Sequence, residues 1–535
     1  MASRWPLRFS PADLLSPPPG GHLNATASRA RRRSPVVRPE PTPAAPVFRR
    51  IAELVIGEVR RGRLGAGARL PATRDMARML AVNRNTVVAA YAELAGEGWI
   101  TTAPASGTFI SARLPDLAPR RFAAASAPRP GVPPTTGFDL LQATLQRPAS
   151  RSTRTVPDLP APDTGPGGLF LWGGIPDVSL VPAAALARAY RRALRVRDRE
   201  VLAYGDSRGH PRLRAAVAGM LSATRALAAT ADDVVITRGS QMAIDLAART
   251  LLRPGDVVAV EELGYRRAWD ALARAGARLV PLPVDADGID IAALAALCAR
   301  RRVRALYLTP HHQYPSTVVL GAARRIALLD LARRERLAIL EDDYDHEFHF
   351  EGRPVMPLAS ADGAGVVVYI GTFSKILAPG LRLGFMVAPR SLLDRVVTLR
   401  EVVDRQGDLA TESAVAELIE DGELQRHARR MRRIYEARRD VFVAALRRRL
   451  GDALTFRIPP GGMSLWARAA RGIDVESWSA RAAAGGVGFV TGRAYVLPSD
   501  ARAMRRWRSH VRLGYGRYDA ARLEEAVRRM ARALD

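Results

Sequence analysis

From about residue 169 to the end of the chain, short apolar runs alternate with stretches of helical periodicity. The runs are Val234 to Thr237, Val257 to Val260, Ala305 to Leu308, Leu337 to Leu340 and Val366 to Ile370. Each alternates with amphipathic helical stretches. Strands joined by crossover helices form a mostly parallel sheet of α/β class. From about residue 391 the pattern turns helical with a few strands. This predicts a large domain at 169–390 followed by a smaller C-terminal subdomain at 391–535.

At 535 residues the chain is too long for one ordinary domain. Residues 46–111 form a separate block. Ile51, Leu54, Val55 and Val59 share a helix face, and Gly62 stops that helix. A second helix is expected from Thr73 to Leu80, with Met76, Met79 and Leu80 inward. Asn83 caps a third, whose inner face is Val87, Ala90, Tyr91 and Leu94. Trp99 to Thr102 and Thr108 to Ile110 flank Ala105-Ser106-Gly107 as a β-hairpin. Three helices and a hairpin are the order of a winged helix-turn-helix. Its third helix would enter the DNA major groove by the end carrying Arg84, Asn85 and Thr86, while Arg74 holds a backbone phosphate. Arginine suits guanine edges and asparagine suits adenine. The alternative is a small helical dimerisation or docking domain with a solvated basic face.

Residues 1–45, with the basic cluster Arg29, Arg31, Arg32 and Arg33, and residues 112–168 are rich in Pro, Ala and Arg. They read as a disordered basic N-terminal extension and a flexible linker. The formal charge of +28 suits a polyanionic partner, although an arginine-rich coding bias would also produce it. No apolar run approaches the roughly 18 residues of a membrane helix. The opening residues lack the apolar stretch of a secretory signal, so a cytoplasmic location is expected. The one cysteine, Cys298, excludes an intramolecular disulfide and argues against a Cys-based metal site; no metal-ligating set is assigned.

Of 81 Lys plus Arg residues, one is lysine: Lys375. Where positive charge alone is needed, arginine serves. A guanidinium stays protonated and forms no imine, whereas an ammonium can lose its proton and do so. A lone lysine therefore points to a position that requires amine chemistry. Its neighbours point the same way. Gly239-Ser240-Gln241 follows one apolar run and opens a helix, whose exposed amides suit a phosphate. Glu341-Asp342-Asp343-Tyr344 follows another run, and Gly371-Thr372-Phe373-Ser374-Lys375 a third. Polar motifs at strand ends mark the crevice where α/β sheets bind ligands. A phosphate cradle, an acid, a tyrosine and a lysine are the parts of a pyridoxal 5′-phosphate site, where a carboxylate keeps the pyridine nitrogen protonated.

Leu70 to Ile110 resembles the DNA-binding domain of the GntR family, departing from it at Ala105. Residues 169–535 resemble fold-type I aminotransferases. Together they resemble the MocR family, bacterial regulators that join a winged helix-turn-helix to an aminotransferase-like domain. The resemblance implies that Lys375 forms the cofactor aldimine and that Asp342, with Asp343 as the alternative, pairs with the pyridinium. It implies that Tyr344 bonds the ring oxygen, that Tyr265 stacks on the ring, and that Ser240, Gln241, Ser374 and Arg382 hold the phosphate. Tyr204 would reach the phosphate of a second subunit, which implies a homodimer. In the segment Thr309 to Thr317, His312 and Gln313 would lie nearest the cofactor. Arg512 would grip the carboxylate of an amino-compound effector, with Arg267 as a second contact. Leu263 and Ser316-Thr317 depart from the family pattern beside the effector pocket. The function implied is a regulator that binds paired DNA half-sites in the bacterial nucleoid and senses an amino compound, or pyridoxal 5′-phosphate itself. The rival is a working aminotransferase with a vestigial DNA-binding domain.

Overall fold

The computed structural model describes residues 46–103, 106–112, 114, 167–195, 200–352 and 355–534. They fall into two units, one within residues 1–142 and one within 143–535. The expected extension at 1–45, most of the linker at 112–168, and Ala105 lie outside the described residues.

In the first unit, helices Val47–Arg60, Thr73–Leu80 and Arg84–Gly96 precede strands Ile100–Ala103 and Gly107–Ile110. The strands pair antiparallel, with Ile100 opposite Ile110. Each element gives residues to one core: Ile51 and Val55, Met76 and Leu80, Val87 and Leu94, then Ile100 and Ile110. Asn83 caps the third helix by accepting a hydrogen bond from the Asn85 amide at 2.8 Å. The Tyr91 hydroxyl donates to the Pro71 carbonyl at 2.9 Å, fastening the third helix to the start of the second. Met79, expected inward, is half-buried, because so short a helix meets the core mainly along its Met76–Leu80 row.

The second unit is built on a seven-stranded sheet in the order Val234–Thr237, Gly384–Val387, Val367–Thr372, Ala338–Asp343, Val303–Leu308, Val257–Glu261, Arg278–Leu282. Gly384–Val387 runs antiparallel to both neighbours, and the other pairings are parallel. Successive side chains go to opposite faces. Val368 and Ile370 join one core with Ile244, Trp269 and Leu272. On the other face Val367 packs with Leu294 and Leu328, and Tyr369 with Val217 and Leu221. Burial on both faces is why these strands read as unbroken apolar runs. Two strands of the sheet, Arg278–Leu282 and Gly384–Val387, were not among the runs expected from the sequence. The first is an edge strand, largely half-exposed. The second is a short apolar run that begins with glycine and is buried throughout.

Strands Leu454–Phe456, Ser464–Ala469, His510–Gly514 and Val490–Thr491 form an antiparallel sheet, packed against helices Glu423–Leu450, Val475–Ala484 and Ala520–Arg532. Leu169 and Leu171 belong to this C-terminal core, through pairing of Leu169–Phe170 with Val487–Gly488. Helices Arg390–Val403 and Leu409–Glu420 instead pack on the large sheet through Leu393, Val396, Val415 and Leu418. The packing therefore does not follow the sequence boundary at 390/391, because helical periodicity does not record which sheet a helix covers. Among the described residues no helix is long and apolar enough to cross a membrane.

Leu94 is fully buried in the first core. Leu94→Ala should cost about 2–5 kcal/mol through lost contacts and the cavity left behind. Hydrogen exchange should then accelerate across residues 47–110 and stay unchanged across the seven-stranded sheet.

Candidate functional site

A cavity of about 850 Å³ opens in the second unit. Its lining includes Ser240, Gln241, Tyr265, Asp342, Tyr344, Ser374, Lys375 and Arg382. The sheet brings these together. Ser240 and Gln241 open helix Ser240–Leu251 directly after the strand ending at Thr237. Asp342 pairs with Ile370 on the neighbouring strand, and that strand ends at Thr372, three residues before Lys375. Asp342 and Asp343 lie within the strand rather than after it, since parallel pairing continues to Asp343 opposite Gly371.

Strand alternation separates the two aspartates. Asp342 Oδ2 accepts a hydrogen bond from the Tyr307 hydroxyl at 2.7 Å, while Oδ1 is buried without a partner. Burial pushes the Asp342 carboxyl up to about 7, against the Tyr307 hydrogen bond and the Lys375 charge. Asp343 faces the other way. It accepts from Tyr369 at 2.6 Å and lies among His346 and Arg225. Burial opposes its ionisation, but His346 and Arg225 prevail and hold it well below the usual carboxylate range. Asp342, not Asp343, lines the cavity.

Elsewhere in the lining, the helix at Ser240 begins without a side-chain cap, after Gly239 at positive φ (77°). Its first amides are therefore available to an anion. The Arg382 guanidinium packs on Gly239 and donates to the Arg238 carbonyl at 2.9 Å. Ser374 accepts from the Thr372 hydroxyl at 3.0 Å. Gln241 donates to the Arg267 carbonyl at 3.0 Å.

Arg512 is buried on strand His510–Gly514. Its Nε donates to Ser464 Oγ at 3.0 Å, its guanidinium lies 3.9 Å from the Tyr314 ring centre, and Nη1 has no partner. Segment 172–174 crosses this guanidinium. A Cβ on Gly173 would sit 2.4 Å from Arg512 Nε, so only glycine fits there. A Cβ on Gly174 would lie 3.9 Å from Arg512 Nη2 and 4.0 Å from Lys375 Nζ, which places the lone amine and this guanidinium on one side of the same turn.

Other expected residues sit elsewhere. Gln313 is buried outside the cavity lining, donating to the Leu263 and Tyr314 carbonyls and accepting from Ser316, so its amide closes the 309–317 turn and ties it to Leu263. His312 is likewise behind the wall, with Nδ1 2.8 Å from Asp345. Its carbonyl accepts from the Tyr344 hydroxyl at 2.9 Å. Arg267 is exposed, outside the cavity lining. Tyr204 is 81% exposed, with the Arg405 guanidinium 4.3 Å from its ring centre. The sequence did not single out segment 172–180, Tyr314, Tyr495 or the buried pair Arg438–Asp177 (2.8 Å) as cavity wall. The doublet Gly173-Gly174 was the available signal.

In the first unit Arg74, Arg84 and Asn85 are exposed and Thr86 half-buried, at the starts of the second and third helices. Arg69, exposed beside Gly107 of the hairpin, adds a positive charge that the sequence reading passed over.

Residues 48–110 match the bacterial regulatory proteins of the gntR family, and residues 174–530 match aminotransferase class I and II. The chain is 36% identical over 447 residues to MocR of Rhizobium meliloti, described as a probable rhizopine catabolism regulatory protein, covering 83% of this chain and 86% of that one. The chain belongs to the MocR family of GntR-type transcriptional regulators. A second relative, the HTH-type transcriptional regulator TauR of Rhodobacter capsulatus, is 32% identical over 91% of this chain and 96% of its own. The crystal structure of LysN, an α-aminoadipate aminotransferase of Thermus thermophilus complexed with N-(5′-phosphopyridoxyl)-L-leucine, superposes with a TM-score of 0.63 at 32% identity, covering 69% of this chain and 92% of that one. This MocR-family chain thus joins a GntR-type DNA-binding domain to a fold whose cofactor is pyridoxal 5′-phosphate. The cavity fits that cofactor. It offers one amine, a buried carboxylate oxygen without a partner, and an uncapped helix start.

Asp342 is not alone in its burial. Glu261, which accepts from the Thr309 amide and hydroxyl, is pushed up to about 8 by burial, and Glu341 to about 7 for the same reason. A carboxyl raised in the fold stabilises it while protonated, and that contribution is lost as pH rises through the folded value. The cofactor-free protein should carry a destabilising slope between about pH 4 and pH 8 from these groups. Glu261→Gln should flatten it, read as a smaller fall in the thermal midpoint from mildly acid to mildly alkaline buffer.

Proposed function

We propose that this chain regulates transcription by sensing a small primary amine that carries a carboxylate, at a cofactor tethered to Lys375. The observation that carries this reading is the chain's only lysine, lining one cavity with the unsatisfied Asp342 carboxylate, in a protein whose other unit is a DNA-binding domain. Pyridoxal 5′-phosphate supplies an aldehyde that amines capture and a protonated ring that withdraws electrons. Lys375 provides the tethering amine. Asp342 would pair with the ring nitrogen and keep it protonated. The amides at Ser240 and Gln241, with Ser374 and Arg382, would hold the phosphate, and Tyr265 would stack on the ring. Tyr344 would hydrogen-bond the ring oxygen by turning its hydroxyl away from the His312 carbonyl that it now bonds.

Arg512 is the effector's carboxylate clamp. It is buried, fixed by Ser464, and has an unpartnered Nη1. A guanidinium with free donors in a dry site binds a carboxylate through paired hydrogen bonds. Arg267, on the helix beside Gln241, is a second contact for longer effectors. A second copy of the chain covers Tyr204 together with exposed Leu202 and Val402, giving a homodimer. Two winged units then read paired half-sites, with Arg84, Asn85 and Thr86 at base edges and Arg74 on phosphate. Effector binding changes DNA engagement only through unequal affinity for two arrangements of the dimer.

A titration of the purified protein with amino acids and amines, followed by visible absorption, tests this. A cofactor band that shifts with one compound and persists supports a sensor. Loss of that band with release of a keto acid marks a working aminotransferase, and release of cofactor-dependent DNA binding by pyridoxal phosphate alone marks a cofactor sensor. Lys375→Ala should lose the band on dialysis. Arg512→Gln should keep the band and need at least about tenfold more effector, the loss expected for one charge-assisted pair.

DNA recognition has its own check. Arg84→Ala should weaken operator binding by about 1–3 kcal/mol and relax preference at one base position in each half-site. Gel-shift titrations against a substituted operator set read both effects.

A further inference from the structure

Four of the chain's eight histidines meet behind the cavity wall. His311 and His312 lie in the 309–317 turn, and His346 and His349 in the turn after strand Ala338–Asp343. The His311 ring centre is 4.5 Å from that of His312, 4.5 Å from His346 and 5.9 Å from His349. All four rings are buried. One ring nitrogen from each of His311, His312 and His349 falls within 4.8 Å of the other two.

The polar bookkeeping of this cluster does not close. Both nitrogens of His311, Nε2 of His312 and Nδ1 of His349 are buried without a hydrogen-bond partner. Buried polar atoms are nearly always satisfied, and so many orphans facing one another need a shared partner. Imidazole lone pairs have one that meets several at once, a transition-metal cation. Asp345 already does what a carboxylate does behind a metal-binding histidine. Its Oδ1 takes the Nδ1 proton of His312 at 2.8 Å, which leaves the Nε2 lone pair inward. Gly461 keeps the approach clear, since a Cβ there would lie 2.7 Å from His312 Nε2. Asp343, 3.1 Å from His346, adds a second negative charge beside the cluster.

We propose that His311, His312 and His349 form a buried site for a divalent transition-metal ion of the zinc class, with Asp345 orienting His312. The sequence reading assigned no metal; the fold joins two histidine pairs that lie more than thirty positions apart. Metal–nitrogen bonds of about 2.0–2.1 Å bring ligand nitrogens to about 3.3 Å of one another, so the rings turn inward by about 1 Å on binding. The ion pins the 309–317 turn to the turn at 345–349. Tyr344, which donates to the His312 carbonyl, and Tyr314, which lies against Arg512, extend from these same segments into the cavity.

The test uses untagged full-length protein, stripped with a chelator and loaded with Co²⁺ or Zn²⁺. One Zn²⁺ per chain should survive gel filtration. Co²⁺ should give the ligand-field absorption of a low-coordinate nitrogen site, at longer wavelength than the cofactor, and Zn²⁺ should bleach it. Asp345→Asn should weaken binding about 10–100-fold without changing stoichiometry. His311→Asn and His349→Gln should each abolish the cobalt absorption, and His210→Asn, remote from the cluster, should keep it. Retention of the cofactor band reports that each variant is folded. A wild-type protein that holds neither ion after gel filtration overturns the site, as does unchanged cobalt absorption in the His311 and His349 variants. If neither of those variants folds, the wild-type stoichiometry and the Asp345→Asn affinity decide.

Discussion

Parallel pairing of Val303–Leu308, Ala338–Asp343 and Val367–Thr372 sets where everything else in the second unit can lie. The three strands run parallel and end within about two residues of one another, so whatever follows each one emerges at a common edge. Thr309 and the histidine turn leave the first, Tyr344 leaves the second, and Ser374 and Lys375 leave the third. The ladder also carries Asp342 and Asp343 into the sheet, where water cannot solvate them. Their alternation then gives them different neighbours, which shift their carboxyls in opposite directions. Neither aspartate would have these properties in a loop.

Buried charge is the cost of that arrangement. Arg225, Asp343, Tyr369 and Glu347 form a buried network, with Arg225 bonded to Tyr369 and Glu347 and Tyr369 donating to Asp343. Such buried pairs add little net stability over apolar packing, but removing one member leaves a charge stranded. They hold the back of the sheet in one arrangement. On the cavity side Asp342 Oδ1 and Arg512 Nη1 are also unpartnered, and these two are grouped by the one cavity, Asp342 in its lining and Arg512 against Gly173, Gly174 and Tyr314 of its wall.

The aminotransferase fold and the regulator reading are compatible because function resides in sites rather than folds. The cavity keeps the parts that amine chemistry needs. The relatives that match along both units are regulators, and the relatives that match the second unit alone include a transaminase. The presence of the first unit, with a complete core and a capped third helix, separates the two groups.

Much of this was legible from residues alone, for identifiable reasons. Five of the seven strands announced themselves because burial on both faces leaves an unbroken apolar run, and the third helix of the first unit because Asn83 and the Val87–Leu94 face obey local rules. The lone lysine stood out because arginine cannot replace an amine that must react, and the fold puts it in the cavity lining. Other features were silent. The bonds that Gln313 makes to Leu263 and within its own turn are not written in the segment's sequence; Arg278–Leu282 is a half-exposed edge strand and Gly384–Val387 a short buried one that opens with glycine; helices after residue 390 do not declare which sheet they cover. The choice between Asp342 and Asp343 depended on which face each meets. The gathering of His311, His312 and His349 depended on two turns meeting across the sheet edge. Sequence by itself determined the classes of element and the residue types able to do the chemistry, since periodicity and side-chain reactivity are local. Tertiary structure alone decided which of those groups are desolvated, which are paired and which face one another, because burial and charge are properties of contacts between distant segments.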